Sequence, residues 1–149
     1  MPANKSIAAI VPAAGLGTRM KSKKPKFLHE VCGRPIISHI IYSRIDICDE
    51  VIIVVGNCAE EVIEHVQQEF SSHKEFSKIK FGRQAELLGS ADAVRVGLEI
   101  VSEPIENIFV QLGDVPLMTK EIASEIISKF NSENSKLLIA TAILDDPFG

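Results

Sequence analysis

The sequence predicts an α/β protein built around a mostly parallel sheet. Two observations carry that expectation. First, IAAIV at Ile7–Val11 and EVIIVV at Glu50–Val55 are continuous apolar runs of strand length, without the alternation of a one-sided sheet. Such runs read as strands covered on both faces. Second, segments of helical period separate the runs, and helix-length crossovers between strands imply right-handed connections in one sheet. Ligands of such sheets bind beyond the carboxyl ends of the strands. That directs attention to three loops, after Val11, after Phe81 and after Leu112.

The elements follow in order. The first strand, Ile7–Val11, is expected to stop at Pro12. A helix over Pro35–Ile45 opens on proline, a good first helical residue, and places Ile37, Ile40, Ile41 and Ile45 on one face. Gly56 ends the second strand. Asn57 is expected to cap a helix that runs to Phe70 with Val62, Ile63, Val66 and Phe70 inward. Ser71–Lys78 is polar and reads as a loop, and Ile79–Phe81 as a short strand. Ser90 is expected to cap a helix in which Val94, Gly97, Leu98 and Val101 share a side. Ile108–Leu112 reads as a strand. Thr119 is the expected cap of a helix carrying Ile122, Ile126, Ile127 and Phe130, and Leu137–Leu144 (LLIATAIL) is the last expected strand.

With 149 residues the chain fits one domain with one sizeable core. The net charge of −4 gives no global basic footprint, so nucleic acid is not an expected partner. The three cysteines, Cys32, Cys48 and Cys58, match neither a zinc spacing nor CxxC and are expected to be small buried hydrophobes in a reducing compartment. No apolar run is long enough to span a bilayer or resembles a signal peptide, so a cytoplasmic location without membrane contact is expected. Met1–Ser6 reads as a short loose start. The terminal DDPFG, Asp145–Gly149, is a turn directly after a strand, as if a longer protein continued.

Chemistry concentrates in the three loops. The first, PAAGLGTRMKSKKPK, combines small residues with Arg19, Lys21, Lys23, Lys24 and Lys26 in an acidic protein. Glycines let backbone N–H groups approach a ligand, and a run of them forms an anion-binding concavity. Arg19 adds a planar fork for phosphate oxygens and Lys26 a point charge. The loop is neither a P-loop nor a dinucleotide fingerprint, because GxxxxGK[ST] is absent and Met20 stands where the third glycine would be. In the second loop, QAELLGSADAV, the Gln84 amide offers one acceptor and two donors, and taken alone it is expected at the surface. Gly89 and Ser90 at a helix start supply backbone N–H groups and a hydroxyl. The third, LGDVPL, puts Asp114 just beyond a strand, where one carboxylate can share a magnesium ion with water and substrate phosphates. His29 follows the basic loop and is expected to pack or face solvent.

These motifs carry a resemblance. AAGLGTRM followed by KPKFLHEVCGRPIISHII resembles the signature of the sugar-phosphate nucleotidyltransferases. Leu28-His29 points within them to the uridyltransferase domains of the bacterial bifunctional N-acetylglucosamine-1-phosphate uridyltransferase/glucosamine-1-phosphate acetyltransferases. QAELLGSADAV is similar to that family's QAExLGTxHA, GDVPL to its metal-binding motif, and DDPFG to the start of its DDPxGYGR.

The resemblance implies a Rossmann-like three-layer nucleotidyltransferase fold and transfer of UMP from UTP to a sugar 1-phosphate, N-acetylglucosamine 1-phosphate. The products would be UDP-N-acetylglucosamine and pyrophosphate. It implies that Ala13, Ala14, Gly15 and Gly17 cradle the nucleotide, with Pro12 on its base and ribose side. Arg19 would hold the leaving phosphates, and Lys26 would neutralise the reacting phosphate. Gln84, Gly89 and Ser90 would read the uracil. Leu112 and Gly113 would line the uridine side, and Asp114 would carry Mg²⁺. The residues that bind the sugar, and a second metal ligand, lie in the family beyond the position of Gly149. The chain is thus expected to be the N-terminal nucleotide-binding portion of such a domain, without the β-helix acetyltransferase domain.

The sequence also departs from the pattern. Pro12 stands where those uridyltransferases usually have Leu, and VPAAG is similar to the cytidylyltransferases of isoprenoid synthesis. Ser90 replaces Thr, Ala91-Asp92 replaces a Gly-His-like pair, and Leu112 stands where Tyr is usual. A cytidylyltransferase-type enzyme and a non-catalytic nucleotide-binding module therefore remain alternatives.

Overall fold

A computed structural model describes residues 5–133 and 135–143. Strand β1 (Ile7–Ala13) leads to a small antiparallel hairpin of β2 (Glu30–Val31) and β3 (Arg34–Pro35), then helix α1 (Ile36–Arg44), strand β4 (Glu50–Val55) and helix α2 (Ala59–Phe70). Strand β5 (Ile79–Arg83), helix α3 (Ser90–Leu98), strand β6 (Asn107–Val110) and helix α4 (Lys120–Ser132) follow. The main sheet has the order β5-β4-β1-β6, and every neighbouring pair is parallel. From β1 the chain steps outward through β4 to β5, then returns to place β6 on the other side of β1. The strand order therefore reverses between β1 and β6, and ligands of open α/β sheets bind at the carboxyl ends beside such a reversal.

The strand period of two splits each apolar run between the sheet faces. Ala9, Val11, Val51 and Ile53 belong to a core shared with α1, α2 and α4, including Ile37, Ile41, Val66, Phe70 and Ala123. Ala8, Ile10, Ile52 and Val54 face the opposite side, against Ala93, Val94 and Val96 of α3. Helices thus cover both faces, as the non-alternating strands predicted. Gly97 sets how closely α3 approaches: a Cβ there would lie 2.5 Å from Ile10 Cγ2.

Several boundaries differ from expectation. β1 continues through Pro12 to Ala13, pairing Pro12 with Val54 and Ala13 with Val55. Pro12 is tolerated because its carbonyl, which accepts from Gly113 N at 2.9 Å, and its nitrogen face the β6 side. The ladder there has already ended at the Ile10–Val110 pair, so no strand bond is lost. α1 starts at Ile36, with Pro35 in the preceding cap position. Cys58, not Asn57, takes the cap position of α2, in a left-handed conformation at φ 58°. Ser90 is the first residue of α3 rather than its cap; Gly89 holds that place at φ 103°, a conformation side chains disfavour. Thr119 caps α4 as expected, its Oγ1 accepting from Ile122 N at 3.4 Å.

The β2–β3 hairpin was not predicted. Its turn residues Cys32 and Gly33 both have positive φ, 50° and 76°, the signature of a tight hairpin turn. Cys32 is exposed there, Cys58 is half-buried, and Cys48 alone matches the buried-hydrophobe expectation. The last expected strand is corrected as well. Residues 137–143 form no strand, and Leu137, Ile139 and Ile143 are exposed. An apolar run satisfies the composition of a strand but supplies no ladder partner, and here the segment borders β6 without pairing to it. Leu144, the DDPFG turn and Met1–Asn4 lie outside the described residues. Among the described residues no helix is long and apolar enough to cross a membrane.

Candidate functional site

The three predicted loops meet at the carboxyl end of the sheet. Two glycines make the junction. Gly17 adopts φ 62°, and a Cβ there would come 2.8 Å from Lys26 Cβ, so the lysine stem lies directly against the first loop. Gly113 is buried. A Cβ on it would come 2.7 Å from Pro12 O and 2.9 Å from Phe27 Cε1. Its absence lets the third loop, the end of β1 and the Lys26–Leu28 turn close on one another. Phe27 anchors that turn in the core, and Lys26 Nζ reaches Asp114 Oδ2 at 2.6 Å.

The second loop is equally specified. Gln84 follows β5, and its backbone N–H donates to Val55 O at 2.8 Å. Its side chain is buried, with Nε2 donating to Gly89 O at 3.1 Å and to Asp92 Oδ2 at 2.8 Å. Gly56 permits Ala14 and Leu87 to approach: a Cβ there would lie 2.8 Å from Ala14 Cβ and 2.9 Å from Leu87 Cδ2.

Together these loops enclose a cleft of about 390 Å³. Pro12, Ala14, Gly15 and Lys26 line it from the first loop, Gln84, Gly89 and Ser90 from the second, and Leu112 and Asp114 from the third. Four predicted residues do not line it. Ala13 ends β1 with its side chain in the core. Gly17, half-buried, and Gly113, buried, make the close approaches described above. Arg19 is exposed on a short helical turn over Thr18–Met20 and has no ion pair among the described residues.

The other basic residues of the loop separate. Lys24 Nζ pairs with Glu30 Oε1 at 3.2 Å, whereas Lys23 is exposed without a salt bridge among the described residues. His29 is tied to the loop: its Nε2 lies 3.2 Å from Lys24 O, so the ring braces the basic segment.

The carboxylate of Asp114 is the one acidic group lining the cleft, and no group of three or more His, Cys, Asp and Glu collects there among the described residues. This donor set fits a hard cation that takes one carboxylate from the protein and completes its shell with water and phosphate oxygens, which is how Mg²⁺ is commonly held. It does not fit a metal caged by the protein alone.

Sequence reasoning passed over four contributors. Phe27 forms part of the cleft wall, and its signal was one aromatic residue inside a basic stretch. Gly56 was read only as a strand end. Gln111, buried, donates through Nε2 to Val115 O at 2.8 Å and so holds the Leu112–Val115 turn; the signal was a polar residue closing an apolar strand. Asp92, noted only as a departure, orients Gln84.

Known proteins resemble this chain over most of its length. The model of the MobA-like NTP transferase domain matches residues 9–144. The bifunctional protein GlmU of Thermoanaerobacter pseudethanolicus is 35% identical over 146 residues, which is 97% of this chain and 30% of that protein. The chain therefore spans about 30% of the length of that curated relative. The crystal structure of 4-diphosphocytidyl-2C-methyl-D-erythritol synthase from Anaerococcus prevotii superposes with TM-score 0.67 at 23% identity, covering 87% of this chain and 52% of that one. Rv0371C of Mycobacterium tuberculosis, solved in complex with manganese, gives TM-score 0.65 at 20% identity, covering 86% and 61%.

Proposed function

The chain belongs to the MobA-like NTP transferase domain family, and from that premise we propose that it binds UTP in the cleft and serves transfer of UMP to N-acetylglucosamine 1-phosphate. The observation that carries this reading is the meeting of Lys26, Gln84 and Asp114, one residue from each loop, around one cleft at the strand ends.

The chemistry asks for little beyond placement and charge. A phosphate oxygen of the sugar phosphate attacks the α-phosphorus of UTP, and the bond to the β-phosphate breaks as pyrophosphate leaves. The attacking oxygen is already an anion, so no strong base is required. The barrier lies in holding several negative charges in line, which positioned cations lower. Lys26 supplies a positive charge within the cleft wall. Ala14 and Gly15 leave room for phosphates beside backbone N–H groups. Arg19, outside the lining, meets the outer phosphates where the triphosphate projects from the cleft. Asp114 would hold Mg²⁺, which when bound neutralises phosphate charge. Gln84, Gly89 and Ser90 contact the base.

A second reading, transfer of CMP from CTP, is favoured by Pro12 in the VPAAG segment. Pyrophosphate release from UTP or CTP with added sugar phosphate, in the presence of Mg²⁺, separates the readings. UTP-dependent release supports the first and CTP-dependent release the second. Nucleotide binding without release identifies a binding module.

A further inference from the structure

We infer that Asp92, clamped by Arg95, is a positioning residue that locks the Gln84 amide with only its carbonyl oxygen toward the cleft and thereby sets base selectivity. This rests on the proposed uridine reading for its direction: there Gln84 faces the imide N–H of uracil.

The lock follows from donor and acceptor counting. Gln84 Nε2 lies 3.1 Å from Gly89 O and 2.8 Å from Asp92 Oδ2. A carbonyl and an ionised carboxylate accept and never donate. The NH₂ end of Gln84 must therefore point at both. Turning the amide over would set its oxygen against two acceptors, Gly89 O and Asp92 Oδ2, and lose both of these hydrogen bonds, a costly state. Gln84 Oε1 accepts no hydrogen bond among the described residues, and Gln84 is a lining residue of the cleft, which leaves Oε1 as the polar atom it has to offer there. The cleft thus meets a pure acceptor.

Asp92 is itself held. It stands in the first turn of α3 with its side chain only 17% exposed. Its Oδ1 accepts from Arg95 Nε at 3.0 Å and from Arg95 Nη2 at 2.8 Å, while Arg95 Nη1 donates to Glu99 Oε1 at 2.6 Å. One carboxylate oxygen is fixed by the guanidinium, so the other is aimed at Gln84. Hydrogen bonds from Gln84 and then from Arg95 keep the Asp92 carboxyl below the usual carboxylate range, so it remains an acceptor at neutral pH. Uracil carries a proton on N3, which an acceptor satisfies. Cytosine carries a lone pair there, which an acceptor opposes. A site that leaves a buried polar group unpaired rejects the wrong partner more strongly than an apolar site can.

The test titrates UTP and CTP, each with Mg²⁺, into the wild-type chain and into Asp92→Asn, Asp92→Ala and Arg95→Met. The Asp92→Asn change keeps the side-chain shape but introduces an amide that can donate as well as accept, so only Gly89 O still opposes a turned Gln84 amide. The expected result is a wild-type preference for UTP that falls about tenfold or more in Asp92→Asn and Asp92→Ala, and less in Arg95→Met. A merely structural role would weaken both nucleotides alike and leave their ratio unchanged; an unchanged ratio in folded Asp92→Asn overturns the inference. A wild-type preference for CTP that still collapses in Asp92→Asn overturns the uridine reading and keeps the lock, with Gln84 then accepting from the cytosine amino group.

Discussion

Lys26 Nζ and Asp114 Oδ2 meet at 2.6 Å although the two residues stand 88 positions apart. Neither side chain is positioned by chance. Phe27 fixes the turn that carries Lys26, and Gly17 seats its stem. Asp114 follows Gly113, whose N–H donates to Pro12 O at 2.9 Å. The pair spans the first and third loops and places one positive and one negative group in the wall of the same cleft.

The pair is half-exposed, and ion pairs of that kind add about 0–1 kcal/mol to stability. In the proposed function its value lies in what it presents to a phosphate. Lys26→Ala is therefore expected to weaken UTP binding by about tenfold to a hundredfold, as for loss of a charged hydrogen bond, with thermal stability nearly unchanged. Lys23→Ala is expected to leave affinity within about twofold, since surface charges act weakly in salt. Calorimetry on both variants makes the comparison; equal losses would mean that the cluster acts as diffuse charge.

Gly97→Ala sets two effects against each other. Alanine gains up to about 1 kcal/mol in a helix interior. Against that, the new Cβ would sit 2.5 Å from Ile10 Cγ2 and 3.2 Å from Val54 Cγ2, on side chains branched close to the central strands. Overpacking of this kind costs about 1–3 kcal/mol. Chemical denaturation is expected to show net destabilisation.

Glu50 gives the fold an acid limit. Burial alone would raise its carboxyl, but hydrogen bonds from Lys80 and Ser102 outweigh burial and hold it below the ordinary glutamate range. Lys80 Nζ lies 2.5 Å from Oε1, and Ser102 N donates to Oε2 at 3.0 Å. A depressed carboxyl stabilises the fold above the unfolded-state value, about 4.3, and that contribution fades as pH falls through the lower folded-state value. Glu50→Gln should lower Tm at neutral pH, and the gap to wild type should narrow below about pH 4. Melting curves across pH measure it.

The thiols should separate by reactivity. Cys48 is buried, and desolvation pushes its pKa up to about 12. Cys32 is exposed on a hairpin turn. A thiol reagent at neutral pH is expected to modify Cys32 first and to reach Cys48 only after denaturant is added, as peptide mass mapping would show.

Much of this was legible in the sequence, for physical reasons. EVIIVV is apolar at every position after its first, so a strand covered on both faces was its only comfortable state, and Glu50–Val55 is its observed extent. Thr119 was recognisable because a hydroxyl before an amphipathic run satisfies helix N–H groups locally. The cleft residues were identifiable because three strand ends of a parallel sheet converge. Other features depend on long-range geometry. Pro12 looked like a strand terminator, and only the departure of β6 on its open side makes it harmless. LLIATAIL had the composition of a strand, yet residues 137–143 make no ladder. Gly17 and Gly113 were expected to touch the ligand; neither lines the cleft, and each admits a close neighbour, Lys26 and Phe27, a packing role that depends on long-range geometry. Asp92 was visible as an unusual residue, while its bond to Gln84 required the turn between β5 and α3.

The central claim is that Lys26 and Asp114 face one nucleotide site served by a divalent cation. Titration of UTP into wild type and Asp114→Ala, each with and without Mg²⁺, tests it most directly. The account predicts wild-type binding that strengthens with Mg²⁺, and loss of that Mg²⁺ dependence in Asp114→Ala. Absence of UTP binding in the wild type, or Mg²⁺-dependent binding that survives Asp114→Ala unchanged, would contradict it.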